Sequence, residues 1–336
     1  MHYKLLGKTG LRVSEIALGG MTFGRETDKN ETFRVLDTFI AAGGNFVDTA
    51  DIYNQGISET FIGEWLTLHP GRDDYVIATK VLGRMGKNPN DTGLSAKHLL
   101  SACEHSLRRL GTDYIDLYQI HGGDWDTPWE ETLQTLDRLV QRGWVRYIGC
   151  SNLAAWQLMK ALSVSEQNRW QRFVTLQPQY SLVHREVDRE LLPLCRAEGV
   201  GVIPWSPLGG GFLTGRFHAQ TPPPANTRIA GANPEMEESL AHRATDANWR
   251  TLDVVETIAH RRGKTIAQVS LRWLMQKEGI TAPIVGVRNH MQLQENLGAV
   301  GWELTDEEWQ ELDTISRLPL TYPHTWAYRH EGRNRM

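Results

Sequence analysis

Short apolar runs recur along the chain: IALGG (16–20), NFVDTA (45–50), YVIATK (75–80), IDLYQIH (115–121), VRYIGCS (145–151), FVTLQPQY (173–180), GVIPWSP (201–207) and APIVGV (282–287). They are rich in Val and Ile and lack strict polar–apolar alternation, the pattern of strands buried on both faces. Between them the pattern shifts to a helical period. Over 30–44, apolar residues recur at Phe33, Leu36 and Ile40, with Asn30 as cap and Gly43-Gly44 as stop. Residues 95–111 start at Ser95 and end at Gly111, and residues 128–143 carry Pro128 in the first turn and Gly143 past the end. Residues 264–276 and 289–300 have the same helical spacing.

From the second to the seventh, the runs start 28 to 40 residues apart, which fits one strand–helix unit. Eight such units predict an α/β fold, a (β/α)8 TIM barrel, which needs about 250 residues. The remaining length goes to a hairpin at 4–14, a long loop at 208–245 after the seventh strand, and a C-terminal extension at 301–336. A doubly wound open sheet is the competing architecture, and the evenly stepped units favour the barrel. No composition shift marks a boundary, so 1–336 reads as one domain.

Composition narrows the class. The chain has 336 residues, 36 basic against 40 acidic, a net charge of −4. That balance gives no footprint for nucleic acid. Cys103, Cys150 and Cys195 are too far apart for a metal or redox pair. No apolar run approaches the ~18 residues of a membrane span, and the first residues lack the apolar core of a signal peptide. The expectation is a cytoplasmic protein without a membrane partner.

In a barrel of this kind, sites form at the C-terminal ends of the strands. The second run ends in Asp48 and leads through Asp51 to Tyr53, the third ends in Lys80, and the fourth in His121. Singly, each has an ordinary structural role open to it: a helix cap, a surface aromatic, a solvated lysine, a core histidine. Together they suit proton transfer to a carbonyl oxygen. A phenol near pKa 10 is a poor acid at neutral pH unless an ammonium lies beside it. A carboxylate would hold that ammonium, and a histidine could orient the carbonyl. None of the four can supply electrons, so a hydride donor must be bound. A metal is not expected, because Asp48 and His121 are only two ligands and Lys80 between them would repel a cation.

The sequence resembles the aldo-keto reductases over nearly its whole length, from LGKTGLRVSEIALGGMTFG (6–24) through NFVDTADIYNQGISE (45–59), VIATK (76–80), IDLYQIHGGD (115–124), GWVRYIGCSN (143–152), QPQYSLV (177–183) and PWSPLGGGFLTG (204–215) to VGVRNHMQLQENL (285–297). The resemblance implies a (β/α)8 barrel that binds NADPH without a Rossmann domain. It makes Tyr53 the general acid, Lys80 and Asp48 its tuning partners, and His121 the substrate-orienting histidine. Ser151, Asn152 and Gln177 match the residues that bind the nicotinamide carboxamide, and Trp205 takes the place of the ring that stacks on it. Gly20, Met21, Thr22 and Asp48 belong to the same cofactor set. Ser206, Pro207, Leu208, Gly210, Leu213 and Gly215 match the pyrophosphate loop. Gly286, Arg288, Gln292, Glu295 and Asn296 match the adenosine-phosphate end. Asn54 departs from the glycine common after the tyrosine, which leaves that turn's geometry open.

The glycines of GGGFLTG are spaced G-x-G-x-x-x-G, not G-x-G-x-x-G, and Pro222–Pro224 follow instead of a helix and second strand, so a Rossmann reading is rejected. Arg288 beside a helix start suits a phosphate, which favours NADP over NAD. The substrate mouth is expected to include Phe23, Tyr53, His121 and Trp125, with Asp124 and Asp126 in reach of hydroxyls and Tyr322, Trp326 and Tyr328 of the extension forming an aromatic wall. The resulting expectation is NADPH-dependent reduction of aldehydes or ketones, with a small-molecule carbonyl compound as partner and a homo-oligomer compatible with it. The alternative is a non-catalytic, cofactor-binding regulatory subunit of a membrane channel.

Overall fold

The computed structural model describes residues 1–219, 221, 222, 224, 227, 229, 232 and 239–327. Part of the long loop, including Pro223, and Tyr328 of the extension lie outside the described residues. An antiparallel hairpin, β1 (Tyr3–Leu5) and β2 (Arg12–Ser14), precedes β3 (Ala17–Gly19). The strands β4 (Phe46–Asp48), β5 (Val76–Val81), β6 (Ile115–Ile120), β7 (Val145–Ser151), β8 (Thr175–Gln177), β9 (Gly201–Val202) and β10 (Ile284–Gly286) follow. Each of the eight apolar runs contains one strand of a parallel sheet, in the order β10-β3-β4-β5-β6-β7-β8-β9. The ring closes between its two ends. Thr281 donates its N–H to the Val202 carbonyl at 2.8 Å, and Ile284 donates to Pro204 at 2.8 Å. The expected TIM barrel is therefore the fold found.

Two apolar layers fill it. The inner cluster includes Leu6, Ala17, Phe46, Ala78, Leu117, Ile203 and Ile284. The outer cluster packs helices against strands, with Leu36, Phe39, Leu99, Leu133, Leu136 and Leu274 fully buried. At about 25 cal/mol per Å² of apolar surface, each such side chain contributes about 2 kcal/mol. The β1–β2 hairpin closes the end of the barrel where the strands begin. Leu6 is fully buried there, and the Lys8 N–H bonds the Gly199 carbonyl at 2.8 Å. Gly7 has φ +58°, and a Cβ on it would meet the Val174 oxygen at 2.4 Å. This closing hairpin leaves the opposite end as the mouth.

Helix boundaries follow local chemistry. The helix Lys29–Ala41 is capped by Asp28, not Asn30, because the Asp28 carboxylate accepts the Glu31 N–H at 2.9 Å. Ser95 caps Ala96–Leu110 as expected, and Gly111 ends it at φ +60°. Pro128 stands at the cap position of Trp129–Gln141 instead of inside its first turn. Thr265 caps Ile266–Gln276 in a reciprocal box with Gln268. The extension forms the helix Asp306–Ile315, which Thr305 and Glu308 cap reciprocally.

Candidate active site

The ends of three consecutive strands place the chemistry. Asp48 ends β4, Lys80 is next to last in β5, and His121 follows β6. Lys80 is fully buried, and its ammonium donates to Asp48 Oδ2 at 2.5 Å, the Thr49 carbonyl at 2.8 Å and the Tyr53 hydroxyl at 3.3 Å. Burial alone would push this ammonium down, but Asp48 and Tyr53 facing it outweigh that and hold it above its ordinary value. Asp48 Oδ1 accepts from Gln119 Nε2 at 3.0 Å and from Gln177 Nε2 at 2.9 Å. The carboxylate is thus saturated and fixed, as a buried ion pair requires.

The phenol and the imidazole meet above this pair. The Tyr53 and His121 rings lie edge to face, 5.7 Å between centroids. Burial and the Lys80 charge push His121 down to about 3, so its imidazole is neutral at pH 7 and can donate a hydrogen bond without carrying charge. The turn beneath Tyr53 is unusual. Asn54 and Gln55 have φ of 48° and 54°, in the left-handed region, and Gly56 has φ 89°. This settles the question raised by Asn54: asparagine adopts the conformation that glycine holds freely, and its Nδ2 is bonded to the Gly24 carbonyl. Asn152 and Ser206, at φ 53° and 54°, are also left-handed and line the same cavity. Such strain persists only where the surroundings impose it.

A cavity of about 870 Å³ opens over these residues. Its lining brings together Asp48, Tyr53 and His121 with Met21, Thr22, Ser151, Asn152, Gln177 and Trp205. Ser206, Pro207, Leu208 and Gly210 continue it, and Gly286, Arg288, Gln292, Glu295 and Asn296 form its far end. The polar groups at its centre are preset. Trp205 Nε1 donates to Asn152 Oδ1 at 2.9 Å, and Asn152 Nδ2 to the His121 carbonyl at 3.0 Å. The Ser151 hydroxyl donates to the Gln177 carbonyl at 2.7 Å. Gln177 commits its Nε2 to Asp48.

Eight expected residues fall elsewhere. Gly20 does not line the cavity: its N–H bonds the Asp48 carbonyl at 2.8 Å, and a Cβ there would meet Ser58 Oγ at 2.9 Å. Leu213 is fully buried, and Gly215 (φ +76°) abuts Ile266. Phe23 is also fully buried, in the core and outside the cavity lining, because the turn after β3 folds it inward. Trp125 is 81% exposed and lies against Trp156, 6.1 Å between centroids, outside the lining. The Asp124 carboxylate is spent on two neighbouring loops: it accepts from the Asp126 N–H and the Thr127 hydroxyl in its own, and from the Leu94 N–H in the loop after β5. Tyr322 and Trp326 are exposed and do not reach the cavity.

Other lining residues were missed. Gln179, His184, Glu186 and Val187, from the loop after β8, and Leu191, which opens the helix Leu191–Glu198, form one wall, and Arg216 and Phe217 another. Gln119, fully buried and outside the lining, supports the site through its bond to Asp48, and its place two residues before His121 is the signal for it.

The far end of the cavity has the features of an anion site. Asn289 caps the helix His290–Leu297, its Oδ1 accepting the Gln292 N–H at 2.9 Å, and Arg288 precedes that cap. Gly209, Gly210 and Gly211 have φ of 61°, 68° and 105°, and a Cβ at Gly211 or Gly286 would stand in open space. Backbone of this kind can lie directly against a pyrophosphate. The residues present therefore fit a dinucleotide with its reactive end at Tyr53 and its phosphate end at Arg288.

The model of the aldo/keto reductase family matches residues 15–317. An uncharacterized oxidoreductase of Bacillus subtilis (strain 168) is 39% identical over 94% of this chain and 96% of its own. Norsolorinic acid reductase B of Dothistroma septosporum is 34% identical over 97% and 84%. A probable voltage-gated potassium channel subunit beta of Arabidopsis thaliana is 35% identical over 89% and 91%.

Proposed function

Because the chain belongs to the aldo/keto reductase family, we propose that it is an oxidoreductase that reduces aldehyde or ketone carbonyls to alcohols with NADPH, Tyr53 acting as general acid. The observation that carries this reading is the Asp48–Lys80–Tyr53 chain at the floor of the cavity, 2.5 Å and 3.3 Å between successive partners. When bound, the nicotinamide supplies the hydride. The protein does the rest. Trp205, held by Asn152, presents a flat face for a ring. His121, neutral, donates to the carbonyl oxygen and aligns it with the Tyr53 hydroxyl. Tyr53 gives its proton to that oxygen as negative charge develops on it. Lys80 stabilises the phenolate left behind, and Asp48 keeps Lys80 in place. Positioned acid catalysis of this kind contributes about 10²–10⁴-fold.

Arg288 supports NADPH over NADH, because a guanidinium can grip the 2′-phosphate with paired donors. Leu153, Pro178, Val187 and Leu191 in the cavity lining support an apolar carbonyl compound. The deciding experiment follows NADPH oxidation with a panel of aldehydes and ketones by the wild type and Tyr53→Phe. Turnover with at least one carbonyl that is lost in the variant supports the proposal, and turnover that survives the substitution refutes the role of Tyr53.

A further inference from the structure

Behind the Lys80 pair lies a buried carboxyl that the mechanism does not use. Asp51 is 1% exposed, in the turn between β4 and Tyr53, and its N–H bonds the Lys80 carbonyl at 3.1 Å. Neither of its carboxylate oxygens has a well-formed hydrogen bond among the described residues, and the adjacent Ile52 N–H gives only weak support. The neighbouring charges explain this. Glu59, on the helix Ile57–Leu68 and fully buried, takes the available donors: Arg109 Nε at 2.6 Å and the Thr79 hydroxyl at 2.5 Å. Arg109, on the helix Ala96–Leu110, also donates to Ser106 Oγ and packs against Gly56 in the turn that carries Tyr53. From β6, the Tyr118 hydroxyl, fully buried and without a partner among the described residues, faces the same group. Asp51 therefore sits among one like charge already paired, one cation engaged with that charge, the Lys80 ammonium committed to Asp48, and a neutral phenol.

An unpaired buried carboxylate beside another carboxylate is costly, and the group avoids the cost by keeping its proton. We propose that Asp51 is a positioning residue: it is neutral when Lys80 is at full strength toward Tyr53, and on losing its proton it places a second negative charge behind Lys80 that weakens the support Lys80 gives Tyr53. The inference rests on the proposed role of Tyr53. Burial first, and the Glu59 charge second, raise Asp51 to about 7, so the change falls within the working range of the enzyme. His121, held near 3, and Lys80, held above its ordinary value, do not titrate there.

The test compares wild type, Asp51→Asn and Glu59→Gln between pH 6 and pH 9, reading kcat/KM for carbonyl reduction together with the infrared C=O stretch of a protonated carboxyl in the cofactor-free protein. Wild type should decline on the order of fivefold across a transition near pH 7. Its infrared band should fade over the same range. Asp51→Asn should lack both the transition and the band, and keep at pH 8.5 the activity that wild type shows at pH 6. Glu59→Gln should move both to lower pH. An unchanged transition in Asp51→Asn, or no band to lose, overturns the proposal. If wild type reduces no carbonyl at all, the oxidoreductase reading fails, while the infrared result still decides the protonation of Asp51.

Discussion

At the scale of single residues, the centre of the site depends on one buried cation. Lys80 is tolerable at zero exposure because three oxygens receive its donors. Replacing it with Met leaves Asp48 buried with only two amide partners. Loss of a partner from a buried pair costs about 3–5 kcal/mol, so Lys80→Met should lower stability to urea as well as turnover. Tyr53→Phe removes only a hydroxyl, and should lower kcat by about 10²–10⁴-fold while leaving the urea midpoint nearly unchanged. Measuring both variants separates the acid from its support. His121 gives a pH signature. Its folded value is about 3 against an ordinary 6.5, so the unfolded chain binds the extra proton between those values. Stability should be unaffected by this group above about pH 6.5 and fall as pH drops toward 3. Urea titrations at pH 7.5 and 5 should show a smaller acid loss for His121→Gln than for wild type.

The quartet is legible in the sequence because the second, third and fourth apolar runs break at a charged or polar residue, Asp48, Lys80 and His121, and Tyr53 follows the first of these closely. The committed donors are not. That Gln177 spends its Nε2 on Asp48, or that Asp124 ties its loop to the Leu94 N–H, depends on contacts 129 and 30 residues away along the chain.

At the scale of elements, the strands were the most legible part, since runs buried on both faces carry an unbroken apolar signal. The loops that build the cavity walls carry no such period. The wall after β8 shows why. His184, Glu186 and Val187 line the cavity, and their loop is fastened from behind by the C-terminal extension. Arg185 donates to Asp188 Oδ2 at 2.5 Å and to Asp313 Oδ1 at 2.8 Å, Lys277 donates to Asp313 at 2.8 Å, and Tyr180 to Asp188 at 2.5 Å. Arg185 also lies over the Trp273 ring, 4.7 Å from its centroid. The extension thus supports the wall from outside instead of lining the mouth with aromatics. Asp313→Asn should destabilise by about 3–5 kcal/mol in urea titrations, because the buried Arg185 and the part-buried Lys277 lose their shared anion. If it still folds, KM for the carbonyl compound should rise more than KM for NADPH.

At the scale of the whole molecule, the barrel separates stability from chemistry. Among the described residues no helix is long and apolar enough to cross a membrane. A dinucleotide laid from Tyr53 to Arg288 would touch strands, loops and the helix His290–Leu297 at once, so binding should stiffen the fold as a unit. A thermal shift with NADPH exceeding that with NADH at equal concentration is the expected result. A 100-fold affinity gap corresponds to at most about 2.7 kcal/mol, and equal shifts would count against a 2′-phosphate contact at Arg288.

The hairpin that closes the far end of the barrel also offers a handle. Gly10, at its exposed turn, has open space where a side chain would be added, and Cys103, Cys150 and Cys195 are all buried. A thiol introduced by Gly10→Cys would be the accessible one for a maleimide-coated bead, and every immobilised molecule would face its mouth toward the solution, so the tethered catalyst should turn over at the rate of the free one.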